Sequence, residues 1–195
     1  GVQGGRYYRV DSIRINGKLT DHIVINPGTF TSDGTYIPKN SETARVWTPI
    51  GNANNLYIGS FDGNGKTVSG VYYNYSSAED VGLFGAVGEG GTVQNVGVAD
   101  SYVCGKYNVG GVVGSNDGTV KNCTNSGIVR GTNYDTGGIV GDNTSGTVTG
   151  CYNNGEVSGL LRTGGIVGYN STGTVTACIN SGKVSSTNNY CAGIV

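Results

Sequence analysis

The chain has 195 residues, 37 of them glycine and only 3 proline, with 13% charged residues and a formal net charge of -1. Glycine at about 19%, against roughly 7% in ordinary soluble proteins, is not spaced at every third position, which excludes collagen. No run of about 18 apolar residues exists to span a membrane, and low charge with recurring Val, Ile and Tyr excludes a disordered chain. The 12 basic residues are scattered, so the clustered cations that displace counterions from a nucleic acid are missing. Scarce Ala, Leu and Glu beside plentiful Val, Thr and Tyr predict strands broken by turns.

The chain begins Gly1-Val2-Gln3-Gly4-Gly5, with no initiator Met and no visible secretory or transit signal, and reads as a processed or trimmed piece. Residues 1–46 carry no repeat. Tyr7-Tyr8-Arg9-Val10 and Ile13-Arg14-Ile15 precede a turn signal, Asn16-Gly17, and Ile23-Val24-Ile25 leads into Asn26-Pro27-Gly28. This predicts a strand-rich N-terminal cap, as expected for the open end of a repeat array. A lead-in coil, 47–80, starts at Trp47-Thr48-Pro49-Ile50-Gly51.

From residue 81 the sequence repeats itself. Gly110-Gly111-Val112-Val113-Gly114 returns as Gly137-Gly138-Ile139-Val140-Gly141 and as Gly164-Gly165-Ile166-Val167-Gly168, at intervals of 27 residues. A second mark, Gly-Thr-Val, ends at Val120, Val148 and Val175, each followed three residues later by Cys123, Cys151 or Cys178. A third ends at Val129, Val157 and Val184. A divergent unit precedes them, with Gly82-Leu83-Phe84-Gly85, Gly91-Thr92-Val93, and Val96 in the cysteine place. The last start, at Ala192, is cut off at Val195 within the repeats 81–195, so further coils are expected beyond it.

Three short β-prone pieces per unit cannot bury their apolar sides alone. Stacked as one coil per unit, with rungs about 4.8 Å apart, they place like on like in three internal Val columns. A Val and a Cys three residues apart cannot both face inward on an unbroken strand of period two, so a bend is expected between them. Helical repeats are excluded by several glycines per unit, leucine-rich repeats by the lack of leucine, and propellers by the short period. The expected fold is an all-β parallel solenoid with coils of about 27 residues.

The units resemble the GLUG repeat family, whose Gly-Leu-hydrophobic-Gly core stands here as Gly82-Leu83-Phe84-Gly85 and, with β-branched replacements, as Gly138-Ile139-Val140-Gly141 and Gly165-Ile166-Val167-Gly168. Asn122-Cys123, Cys151-Tyr152-Asn153-Asn154-Gly155 and Phe61–Gly70 are similar companions, so the resemblance covers residues 47–195. It implies a right-handed parallel β-helix in secreted or surface-attached bacterial proteins, adhesin-like ones and the accessory regions of some immunoglobulin A proteases among them. The implied role is a non-catalytic adhesive surface or rigid stalk of a larger protein, without cofactor or membrane insertion. A host glycan or extracellular matrix protein is the expected kind of partner.

Sites of other kinds are weakly supported. Asp62-Gly63-Asn64-Gly65 lacks the acid that would complete a calcium loop and reads as an Asx turn. Cys123, Cys151 and Cys178 read as a column of small buried hydrophobes, and no bridge is expected between Cys104 and Cys191. The sequons at Asn74, Asn122, Asn143 and Asn170 read as by-products of Asn- and Thr-rich turns. The alternative function is a β-helical carbohydrate-active enzyme, which would need converging carboxylates and a base or neutralising cation. Asp117, Asp135, Asp142 and Glu156 are the acids of the repeats, read as solvated turn residues; Asp117 and Asp142 stand at nearby but unequal places of adjacent units with no obvious Arg or His alongside. Trp47, Tyr57, Tyr107 and Tyr134 are the candidate ligand-contact aromatics, although Leu161, next in the column of Tyr107 and Tyr134, favours packing at a corner. The glycines that mark the repeat are Gly82, Gly85, Gly111, Gly114, Gly138, Gly141, Gly165 and Gly168.

Overall fold

The computed structural model describes residues 17–195, so the predicted strands at Tyr7–Val10 and Ile13–Ile15 lie outside the described residues. Every described element from Ser60 onward pairs in parallel with its counterpart one coil away, and the chain forms a β-solenoid. Five stacks of short strands line the coil. Stack I holds Phe84–Val87, Val113–Asn116, Val140–Asn143 and Val167–Asn170. Stack II holds Thr119–Lys121, Thr147–Thr149 and Thr174–Thr176, and stack III holds Thr124–Asn125, Tyr152–Asn153 and Ile179–Asn180. These two merge in the long strands Ser60–Ser69 and Thr92–Ala99. Stack IV runs from Tyr72–Asn74 through Tyr102–Gly105, Ile128–Gly131 and Val157–Gly159 to Val184–Ser186. Stack V runs from Glu79–Val81 through Tyr107–Gly110, Tyr134–Gly137 and Leu161–Gly164 to Cys191–Ala192.

The three expected Val columns are present in register: Val113–Val140–Val167, Val120–Val148–Val175 and Val129–Val157–Val184. The expected bend lies between stacks II and III. Asn95, Asn122, Gly150 and Ala177 occupy one column there and all have left-handed dihedrals, with φ of 55°, 52°, 65° and 51°. One left-handed residue reverses the side-chain alternation, so Val120 and Cys123 both face inward and both are fully buried. Asn and Gly tolerate this conformation, whereas an ordinary L-residue carries a cost of about 1–2 kcal/mol there. A second left-handed column, Asp80, Asn108, Asp135, Arg162 and Tyr190, bends stack V.

The glycines fit around these bends. Gly114, Gly141 and Gly168 pass over the second left-handed column, where an added Cβ would collide with the backbone of Asp80–Val81, Asn108–Val109 and Asp135–Thr136. Across the core, Gly111, Gly138 and Gly165 press against the side chains of Asn125, Asn153 and Asn180. Those asparagines form a buried ladder, Asn125 Nδ2 donating to Asn153 Oδ1 at 2.9 Å and Asn153 Nδ2 to Asn180 Oδ1 at 2.8 Å. A second ladder, Asn116–Asn143–Asn170, is joined by two 2.7 Å bonds. Each amide also bonds the glycine two or three residues on, closing the corner and leaving no buried amide unpaired.

Before the regular coils, Ile50 and Tyr57 bridge to Phe84 and Val87, which makes residues 50–81 a first, longer turn of the same solenoid. Gly17–Lys18 and Ile23–Val24 add parallel partners to the outer edge of Ser60–Ser69. The antiparallel hairpin of Gly28–Phe30 and Tyr36–Pro38 lies outside stack IV, where Phe30 stacks on Tyr72 with centroids 5.1 Å apart and helps to cover Tyr102. Buried Asn26 ties this segment down through the Arg45 and Gly70 backbones.

Two substitutions test the two backbone constraints. Gly141→Ala, forced against the backbone of Asn108–Val109, is expected to lower unfolding stability in urea by about 1–3 kcal/mol or more. Ala177→Asn, which suits the left-handed site better than Ala, is expected to raise it by about 0.5 kcal/mol.

Candidate functional site

The outer corner where stack V meets stack I collects aromatic and charged side chains, several of them in columns whose residue changes from coil to coil. Tyr107 and Tyr134 stack along the solenoid axis, with centroids 6.0 Å apart and planes at 11°. The Lys106 ammonium lies 4.6 Å from the Tyr107 centroid, and the Arg162 guanidinium lies 4.9 Å from Tyr134 and 4.3 Å from Tyr169. The rings are therefore in contact with one another and with cations along a continuous line. Tyr134 and Tyr169 remain 39% and 38% exposed.

Arg162 also pairs with Asp135, its Nε standing 2.7 Å from Oδ1 as an ion pair and its terminal nitrogen donating a hydrogen bond to Oδ2 at 2.9 Å. This corrects the sequence reading of Asp135 as a solvated turn residue. Asp135 is only 6% exposed, and its partner stands 27 residues on, one rung above it. Burial pushes the Asp135 carboxyl up to about 6, with Arg162 opposing the shift and Asp142 adding to it. Asp142, one stack away, is also raised, first by burial, and Asp80 is raised by burial against the hydrogen bond it accepts from Asn108 at 2.8 Å. Asp117 accepts from Ser145 Oγ at 2.8 Å, and Glu156 pairs loosely with Lys183 at 3.7 Å. Three half-buried or buried carboxylates and one arginine therefore gather at this corner, but the arginine is committed to Asp135 and to two rings.

The remaining sequence candidates lie elsewhere. Tyr57 is inside the core, 3% exposed and packed on Phe84, so it offers no ring face to a ligand. Trp47 packs against the core with Nε1–H donating to the Leu83 carbonyl at 3.1 Å. Asp62 forms the expected Asx turn, accepting from the Asn64 N–H at 2.8 Å and from Asn95 Nδ2 at 3.0 Å. An open groove of about 310 Å³ follows that bend, lined by Asp62, Lys66, Asn95, Asn122 and Thr124 among others. All five cysteines are free thiols, with Cys104, Cys123 and Cys151 buried. Among the described residues, no group of three or more His, Cys, Asp or Glu side chains could hold a metal, and no helix could cross a membrane. Sequence reasoning missed Arg162, Tyr169 and Asp80, although adding 27 to Asp135 and to Asp142 reaches the first two directly.

Fold and corner together define a parallel β-solenoid repeat module with internal Val, Cys and Asn ladders. The match to known families agrees: residues 105–130 carry the GLUG motif. The chain is 36% identical over 134 residues to halomucin of Haloquadratum walsbyi, an alignment covering 63% of this chain and 2% of that protein. It is 34% identical over 79 residues to a putative Gly-rich membrane protein of Evansella cellulosilytica, covering 39% of this chain and 9% of that one. The chain thus matches only a small part of either relative. No solved structure matches it.

The raised Asp135 has a pH signature. Its folded pKa of about 6 exceeds the ordinary value of 3.8, so the folded state holds the proton more tightly than the unfolded state does. Its contribution to stability therefore increases as pH falls through about 6 and is lost as pH rises above it. Thermal unfolding followed from about pH 7.5 to pH 5 should show a rising Tm, and Asp135→Asn should flatten that rise.

Proposed function

We propose that this chain is a non-catalytic repeat module of a larger secreted or surface-attached protein, in which it serves as a rigid stalk. Residues 1–46 act as the strand-rich cover and residues 47–195 as the coil. The observation that carries this reading is the line Lys106–Tyr107–Tyr134–Arg162–Tyr169, in which Tyr107 and Tyr134 stack on each other and two cations sit over the rings, so ring surface that could stack on a sugar or a partner is already engaged within the chain. The surface ladder thereby continues the internal ones and stiffens the corner. A surface location is supported by the names of the relatives, a halomucin and a putative Gly-rich membrane protein.

A glycan and matrix-protein binding array tests the stalk role. The chain should show no concentration-dependent binding. Binding that disappears in Tyr134→Ala or Tyr169→Ala would replace the stalk with an adhesive face at this corner.

A second reading rests on one specific observation, the placement of Asp135 and Asp142 beside Arg162 with Asp80 further along the same corner, which is the kind of cluster a carbohydrate-active β-helix needs. Depolymerisation of an acidic or neutral polysaccharide, abolished by Asp135→Asn and Asp142→Asn, would establish it. The stalk reading expects no chain shortening in either the parent or the variants.

A further inference from the structure

Among the described residues stand two Asn-Gly pairs, Asn64–Gly65 and Asn154–Gly155, and the fold gives them opposite surroundings. The pair matters chemically because the peptide nitrogen after an asparagine can attack the side-chain amide carbon, and a glycine, lacking Cβ, leaves that approach open. Asn154–Gly155 is closed to it. Gly155 is buried, and its N–H is shared between the Asn125 carbonyl and Asn153 Oδ1, each at 3.2 Å. Attack through this nitrogen would first have to break a corner of the asparagine ladder that joins Asn125 to Asn153.

Asn64–Gly65 lacks that protection. The register of Ser60–Ser69 on Thr92–Ala99 passes from Asp62 opposite Gln94 to Lys66 opposite Val96, so Gly63, Asn64 and Gly65 form a bulge without register partners. Asn64 and Gly65 are both exposed and both left-handed, with φ of 53° and 72°, and nothing lies within 4 Å of the place a Gly65 Cβ would take. The Asn64 N–H donates to Asp62 Oδ1 at 2.8 Å, and its Nδ2 donates to the Leu19 carbonyl at 3.2 Å. Leu19 N–H in turn donates to the Asp62 carbonyl at 2.9 Å. The Asn64 amide therefore helps to fasten the segment 17–19 to the first turn.

We propose that Asn64–Gly65 is a self-modification site, at which Asn64 loses ammonia to become aspartate or isoaspartate and thereby loosens residues 17–19 from the first turn. The Gly65 nitrogen bonds to Asn64 Cγ as the Cγ–Nδ2 bond breaks, and the departing ammonia carries off the proton that the Gly65 nitrogen gives up, leaving a cyclic succinimide. Water then opens the ring at either carbonyl. One opening gives aspartate, and the other gives isoaspartate, whose main chain is lengthened through the side-chain carbon. Either product sets a carboxylate where an amide donated to the Leu19 carbonyl, beside the Asp62 carboxylate, and like charges repel.

The folded chain, aged in warm, mildly alkaline buffer and mapped by peptide mass spectrometry, should lose ammonia at Asn64 at least about tenfold faster than at Asn154, equivalent to about 1.36 kcal/mol of barrier. In urea strong enough to unfold the chain the two sites should react at similar rates, because the bonds that hold Gly155 belong to the fold. Trypsin should cut after Lys18 faster in the aged chain than in the fresh one, since that cut needs Gly17–Lys18 to lift from Phe61–Asp62. In Asn64→Gln, whose longer side chain closes a ring less readily, ageing should leave both residue 64 and the cut after Lys18 unchanged. Equal rates at Asn64 and Asn154 in the folded chain, or a difference that persists in urea, would overturn the site. Unchanged cleavage after Lys18 in a chain that has lost the Asn64 amide would overturn the loosening.

Discussion

Parallel pairing in register, one coil per rung, means that each residue has its own equivalents as nearest neighbours above and below. A side chain at a given place must therefore tolerate a copy of itself about 4.8 Å away, twice over. Val, Gly, Thr and Cys meet that condition without any partner choice. Asn meets it by donating to the next copy and accepting from the previous one, as the two buried ladders do. Charged side chains fail it, since two like charges at rung distance repel by about 1 kcal/mol even in water.

The placement of the few charges follows. Lys121 pairs with Gln94 below and Thr149 above, Arg130 with Cys104 and Ser158, and Asp142 with Ser115 and Tyr169. Where ionised groups do become neighbours in a column they are of opposite sign, as in Asp135 with Arg162 and Glu156 with Lys183. A charged content of 13% is thus a requirement of the stacking. It also explains why the unusual groups gather at one outer corner: only a non-repeating column can hold them.

The repeat itself was fully legible, because columns such as Val113–Val140–Val167 need only the period and a ruler. A bend after Val120 was legible too, from the conflict between a three-residue spacing and a two-residue alternation, although its left-handed conformation was not. The asparagine ladders were not read, although Asn125, Asn153 and Asn180 each precede a glycine by two residues. Their burial depends on a glycine column across the core, a contact that period alone does not reveal. Asp135 was misjudged for a related reason: turn composition suggests solvent, while the second left-handed column turns that carboxylate toward Arg162. Tyr57 was likewise an isolated aromatic in sequence, and only the first long turn places it beneath Phe84.

The asparagine–glycine corners carry one further consequence. The ladder residue precedes its glycine by two positions at Asn116–Gly118 but by three at Asn143–Gly146 and Asn170–Gly173, and the amide reaches the carbonyl in each case. A single inserted residue is absorbed there without shifting any strand out of line. The array can therefore accept drift in unit length at this corner and still gain or lose whole units by duplication or deletion, since each interface is interchangeable with the next. Such a chain can change its reach over generations while its cross-section stays the same.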